Sequence, residues 1–207
     1  TTKRGASQKG IKAEVDAGSF GYRRAMVRAG FALDDLTGHV QYSDRDQDGY
    51  YFLSRTYSKT LSGNLKYALT ASSDLSLGFE KSERFRDREG SVTGVNEALT
   101  DPRGLKGGRG FSRNFDVDLS RLNLTYSNDL DERSNLLAVV YQYQDDTTFW
   151  SSPMRFSATG APTTGINDYS LNNGYQQVQR GFKTEYRTHR DRLALMGGLE
   201  VKRNSFD

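Results

Sequence analysis

The chain of 207 residues has no cysteine, 3 prolines, 2 histidines and a single tryptophan. Without cysteine it can hold neither a disulfide framework nor a thiolate metal site. His39 and His189 lie far apart, and neither has a sequence-local carboxylate that would make it a base, so the pattern predicts no enzyme. Charged residues interrupt every stretch, which rules out the ~18–20 apolar residues of a membrane helix. Charge of one sign is also missing: 29 basic residues stand against 26 acidic ones, a balance that argues against a nucleic-acid partner. What is present is 12 Tyr, 11 Phe and 21 Gly, too many aromatics for a disordered chain. The mean hydropathy of −0.75, taken alone, describes a soluble β-rich protein. It averages over faces, however, and alternation hides from an average.

Helical stripes are nearly absent, whereas apolar residues recur with period two. Leu61, Leu65, Tyr67 and Leu69 share one face with Gly63, while Ser58, Thr60, Ser62, Asn64 and Lys66 take the other. The same alternation runs through Leu75, Leu77 and Phe79, through Leu137, Val139, Tyr141 and Tyr143, and through Leu193, Leu195, Leu199 and Val201 with Gly197. Further strands fit Lys12–Ala17, Arg23–Leu33, Leu36–Ser43, Phe115–Ser127 and Tyr175–Thr188. The parity changes between Leu119 and Leu122, which predicts a β-bulge or a different register there. About nine strands result, many near the ~9–11 residues a tilted membrane strand needs.

The connections sort by length. Short ones fall at Asp34-Asp35, Ala71–Asp74, Asn128–Ser134 and His189–Arg192. Long ones fall at Asp44–Ser54, Arg86–Asn114 and Thr147–Gly174. Apart from a tight first turn at Gly18–Gly21, long and short alternate. A soluble sandwich has no reason to do this, and an outer-membrane barrel does. Nor is there a second set of elements to cover the apolar faces, which lipid would cover without help. The fold expected is therefore all-β, an antiparallel transmembrane β-barrel. Nine antiparallel strands leave the chain ends on opposite sides and do not close in the usual even number. The chain also starts without an initiator methionine or an apolar leader. Both features predict a piece of a longer protein. A passive porin or structural barrel and a soluble β-rich binding module stand as alternatives.

Specific residues resemble a known family. Thr1-Thr2-Lys3-Arg4-Gly5 resembles the end of the plug domain in TonB-dependent outer-membrane receptors of the siderophore-receptor type. The segment Ala13–Arg24, with its glycine, small residue, aromatic, glycine turn at Gly18-Ser19-Phe20-Gly21, is similar to that family's first barrel hairpin. Asp48-Gly49-Tyr50 is similar to its entry into an extracellular loop, and Tyr186-Arg187 through Val201 to a mid-barrel hairpin. The resemblance implies a 22-stranded barrel of which this chain supplies the N-terminal part. Residues 1–5 would end the plug domain and residues 6–207 would begin the barrel domain, in the outer membrane of a Gram-negative bacterium. It further implies active import of a scarce ligand, above all a ferric siderophore, through a monomer in contact with lipid and lipopolysaccharide. The TonB complex would act through the plug. No bound cofactor is expected.

Candidate binding residues follow from charge and parity. Arg84, Arg86 and Arg88 share the parity of Ser76, Gly78 and Glu80, so they are expected to face the lumen at the extracellular end. From Arg86 to Arg113 the chain holds Arg86, Arg88, Arg103, Lys106, Arg109 and Arg113 against Asp87, Glu89, Glu97 and Asp101, a modestly positive loop suited to anionic ferric chelates or to pairing with lipopolysaccharide phosphates and acidic neighbours. By the parity of Leu137–Tyr143, Trp150 is expected inward, against a ligand or packed within a loop, and Phe149 outward in an aromatic girdle. Asp44, Asp46 and Asp48, followed by Gly49, match the start of a calcium loop, but position 12 is Arg55 rather than glutamate. A solvated loop tip is the competing assignment. Gly104–Gly110 lacks the lysine–serine ending of a phosphate loop and is expected to be a flexible loop. Lys81 and Glu83 fall on the nominal lipid face, which requires their strand to have left the hydrocarbon by that point.

Overall fold

The structure is a computed structural model that describes residues 9–88, 92, 94–105, 111–162 and 170–207. Nine strands form one sheet in sequence order, each antiparallel to the next. They are β1 (Gly10–Ala17), β2 (Arg23–Leu33), β3 (Leu36–Gln47), β4 (Thr56–Ala68), β5 (Ser73–Asp87), β6 (Phe111–Asp131), β7 (Ser134–Pro153), β8 (Leu171–Arg190) and β9 (Leu193–Phe206). A short helix, α1 (Gly94–Thr100), lies in the connection between β5 and β6. At one end the strands join through tight turns at 34–35, 69–72, 132–133 and 191–192. Asp34 and Asp191 sit there at φ 40° and 48°, the left-handed conformation that short acidic side chains tolerate. The other end carries the connections 18–22, 48–55, 88–110 and 154–170.

Strand pairing puts partners on the same face, so the register assigns every side chain. One face is apolar. A ladder row crosses it as Phe31, Gly38, Leu65, Leu77, Leu124, Val140, Phe182 and Val201. The other face is polar. The adjacent row, one position along each strand, runs Thr37, Lys66, Ser76, Thr125, Val139, Lys183 and Glu200. Here Lys66 bonds Asp74 at 2.7 Å, Lys183 bonds Glu185 at 3.3 Å, and the Tyr141 hydroxyl donates to Glu200 at 2.7 Å. A trough of about 1130 Å³ opens along this face, lined by His39, Asn64, Glu80, Arg121 and Asn123 among others.

No described element covers either face. Met26 and Leu119 are the only buried hydrophobic side chains among the described residues. Val140 is 56% exposed and Leu199 60%. Close packing occurs within the wall itself: a Cβ at Gly63 would come within 2.6 Å of the Phe79 ring, which lies across that glycine on the apolar face.

The apolar face is a band with a slanted upper edge. On β3 and β4 its last apolar row is Tyr42–Leu61, on β5 and β6 it is Phe79–Leu122, and on β7 to β9 it is Val140–Phe182–Val201. Each step drops one pair toward the tight turns. A band held level by a bilayer slants across the ladder in this way when the strands tilt and stagger as in a barrel. Above the band the face becomes charged, in the row Asp44–Lys59–Glu83–Asp118–Asp146. Lys81 and Glu83 belong to this region, so their strand has passed the apolar band. β6, at 21 residues, is about 70 Å of extended chain, about twice what a crossing requires.

Two expectations are corrected. Register between β5 and β6 is regular from Asn128 to Asn114, without a bulge at 119–122; the irregularity lies between Asp129 and Asp131. The parity changes because above the band apolar Phe115, Val117 and Leu119 face the polar side and the acids face outward. The expected long connections are also shorter, since β3 and β5 to β8 continue into segments whose charges resemble loop.

Leu65 on the apolar face and Asn64 on the polar face test this assignment. In the full-length protein, Leu65→Arg should block assembly, because an arginine at mid-bilayer costs ~2–4 kcal/mol. Asn64→Ser should assemble normally, measured as the heat-modifiable folded species on a gel. Equal effects would mean the faces are wrongly assigned.

Candidate functional site

Above the apolar band, the polar face gathers arginine. Arg45 on β3 and Arg84 on β5 lie in one ladder row with Ser58 between them, and Arg86 lies in the next row between Thr56 and Phe115. These three arginines and Tyr50, Tyr51 and Ser58 line a cavity of about 480 Å³. Among the described residues lining it there is no aspartate or glutamate. Arg84 donates to Glu80 at 3.2 Å, from below. Arg45 has softer company: it donates to the Gln47 amide oxygen at 3.3 Å and stands 5.5 Å from the centre of the Tyr22 ring. Neither partner neutralises it. Three guanidinium groups in a cavity free of carboxylates give a positive mouth at the long-connection end.

Aromatic rings flank this mouth. Phe115 and Phe149 are ladder partners on the polar face, their centroids 5.0 Å apart, beside Arg86. Tyr57 and Phe85 stack at 5.3 Å on the opposite face. Trp150 pairs with Asn114, which pairs with Asp87, and so belongs to the outer face, 38% exposed. The expectation of an inward Trp150 and an outward Phe149 is thereby reversed. The cause is register: Leu137, Val139, Tyr141 and Tyr143 pair with Ser127, Thr125, Asn123 and Arg121 and face the polar side despite their apolar character.

The connections are tied together over the cavity. Arg103 donates to the Tyr50 carbonyl at 2.9 Å, and its guanidinium lies 5.7 Å from the Phe20 ring and 5.9 Å from the Tyr50 ring. The Phe52 amide donates back to the Arg103 carbonyl at 2.9 Å. One side chain thus links the connections after β1, β3 and β5. Arg88 follows the end of β5, its backbone amide bonded to the Arg113 carbonyl at 2.8 Å. Arg109 lies outside the described residues, as do Thr1–Gly5 and most of the glycine-rich segment from Lys106.

Asp44 and Asp46 lie within β3, on the outer face, rather than in a loop. The Asp46 carboxylate is held by Arg23 at 2.8 Å and by both Nε and Nη2 of Arg55 at 3.3 and 3.2 Å. Those guanidinium groups, Arg55 first, hold its pKa below the ordinary carboxylate value. Asp48 follows the strand, its amide bonded to the Phe20 carbonyl at 2.9 Å. Asp44 and Asp46 thus lie in an extended strand rather than a turning loop, and Asp46 is already paired with two arginines, so the calcium-loop spacing does not make a calcium loop.

Together these features define the wall of an antiparallel barrel with an apolar outer band and a cationic mouth. No protein-family model matches the chain, and no curated protein sequence matches it. Among solved structures, it is similar to the open form of the ferric-catecholate import receptor Fiu from E. coli K12. The TM-score is 0.74 over 99% of this chain and 35% of that one, at 11% identity. The likeness is one of fold, and the chain spans about a third of that receptor's length. That receptor is a transport protein, not an enzyme. No described helix is long and apolar enough to cross a membrane.

The Asp46 clamp yields a pH prediction. A depressed carboxylate stabilises the fold above its unfolded pKa, about 3.9, and the contribution disappears as pH falls through the depressed value. Protease cleavage within residues 48–55 should therefore be slow at pH 5 and above and accelerate at lower pH. Asp46→Asn should show the faster cleavage already at neutral pH. Cleavage of the variant at the parental rate would remove the clamp from the account.

Proposed function

We propose that this chain is the N-terminal part of the barrel of a TonB-dependent receptor in a Gram-negative outer membrane. Its cargo is an anionic ferric chelate of the siderophore class, and residues 1–5 end the plug domain. The observation that carries this is the cavity at the long-connection end, with Arg45, Arg84 and Arg86 and no described acid in its lining. Guanidinium forks suit catecholate or carboxylate oxygens, and the charge survives at every physiological pH. Tyr50, Tyr51 and the Phe115–Phe149 pair offer rings against which an aromatic chelate can stack. Arg88, just past the end of β5, adds to the same positive field, and Arg109 belongs to the same connection by sequence. The fold likeness to a ferric-catecholate receptor supports this cargo class, and the mid-wall charges on the polar face suit a wet interior filled by a plug. Lipopolysaccharide would meet the charged row above the band.

The mechanism divides by height. The apolar band fixes the wall in the bilayer, the extended strands lift the arginines clear of it, and the described lining of the cavity they share carries no acid. Ligand is drawn in by charge and held by forks, and energy delivered through TonB to the plug opens the path.

The test uses the full-length receptor and a ferric catecholate. Replacing Arg45, Arg84 and Arg86 together with glutamine should weaken binding by about 10–150-fold or more, since one lost charge-assisted hydrogen bond is ~1.5–3 kcal/mol. Uptake should cease in a strain without TonB. Uptake that continues without TonB would replace this proposal with a passive porin.

A further inference from the structure

Arg28 lies on the polar face of β2 at the level of the apolar band, flanked on its own strand by outward Val27 and Ala29. Its Nε and Nη2 atoms are both buried and have no hydrogen-bond partner among the described residues. Its ladder partners are Gln41 on β3 and Lys12 on β1, neither of them an acid, and the diagonal neighbour His39 likewise has a buried Nδ1 without a partner. The nearby acids on β1 are engaged elsewhere. Asp16 bonds Arg24 at 3.0 Å, and Glu14 pairs with Lys12. Arg28 as a whole is half-buried, but two guanidinium N–H groups shielded from solvent without an acceptor are costly to a protein. Nε and Nη2 also form one edge of the guanidinium, the two-donor fork that fits a single carboxylate in a bidentate pair. The missing partner is therefore specified in charge and in shape.

We propose that Arg28 anchors a carboxylate carried by a polypeptide segment lodged inside the barrel, namely the plug domain that precedes this chain. His39 stands beside it as a second polar contact. This rests on the receptor reading given above, which supplies the interior segment. The β2–β3 region would then do more than close the wall: it would hold the plug at mid-height, away from the ligand mouth. The arginines of the mouth and Arg28 thereby have separate roles, one set facing imported anions and the other an internal acid.

The experiment places a photo-crosslinking amino acid at Gln41 in the full-length receptor in its native membrane, with a second label at Asn123 on the far side of the trough. The proposal expects Gln41 to capture a plug segment containing Asp or Glu. Arg28→Gln should reduce that capture about tenfold, the loss of one charge-assisted bond. Arg28→Glu should abolish it, and lysine at the mapped acid should restore it, a rescue that a purely structural role of Arg28 would not produce. The Gln41 capture itself needs no change at Arg28, so a misfolded Arg28 variant leaves the proposal exposed to refutation. If Asn123 captures the plug while Gln41 captures nothing acidic, or if Arg28→Gln leaves the yield unchanged, this anchor is wrong and the receptor reading stands. If neither position captures an interior segment, the receptor reading falls and the anchor with it.

Discussion

The structure depends on finding a surrounding for a sheet that has no core. Nine strands pair in order, yet among the described residues only Met26 and Leu119 are buried hydrophobics. In a soluble sandwich the apolar face of such a sheet would pack on a second layer, and the described residues form none. The apolar side chains are displayed outward as a band bounded above by a charged row. Hydrocarbon is the solvent that turns this display from a liability into the source of stability, because every strand already has its backbone paired with its neighbours. The slant of the band carries the same message independently. Its upper edge steps down the ladder from Tyr42–Leu61 to Phe79–Leu122 to Val140–Phe182–Val201, as a level membrane requires of tilted strands.

Function follows from the strands outrunning the band. Above it the two faces exchange character. The outer face takes Asp44, Lys59, Glu83, Asp118 and Asp146, while the inner face takes Phe115, Val117 and Leu119 beside the arginines. The wall that is greasy outside and polar inside at the membrane becomes charged outside and aromatic-cationic inside at the mouth. Arg103 then fastens three connections across this region, so the mouth is held by more than its strands.

Much of the fold was legible because alternation is a property of the strand itself. The clean faces of β4 and β9, the nine-strand count and the sorting of connections all follow from local residue patterns. What sequence left hidden depends on register, a relation between strands. Leu137, Val139 and Tyr141 look like a lipid-facing set, and only their pairing with Ser127, Thr125 and Asn123 turns them inward and sends Trp150 out. Arg84 and Arg86 could be placed by parity along β5. Arg45 could not, because Asp44 and Asp46 on either side made it look like part of an ion-binding loop. The signal was there in the alternation itself: Gln41, Ser43, Arg45 and Gln47 share one parity, opposite to Val40, Tyr42, Asp44 and Asp46. The orphaned fork of Arg28 carries no sequence signature at all, since an absent partner appears only once the neighbours are in place.

The central claim is that one face meets lipid and the other water. Nitroxide labels placed singly along β7 and β8 of the full-length protein in a bilayer would test it by relaxation with oxygen and with a water-soluble nickel chelate. Labels at Val140 and Phe182 should respond to oxygen, and labels at Val139 and Lys183 to the nickel chelate, with the alternation continuing through the band. If Val140 and Phe182 respond to neither reagent, or respond to the nickel chelate as Lys183 does, the apolar face is covered by protein or open to water, and the barrel account is wrong.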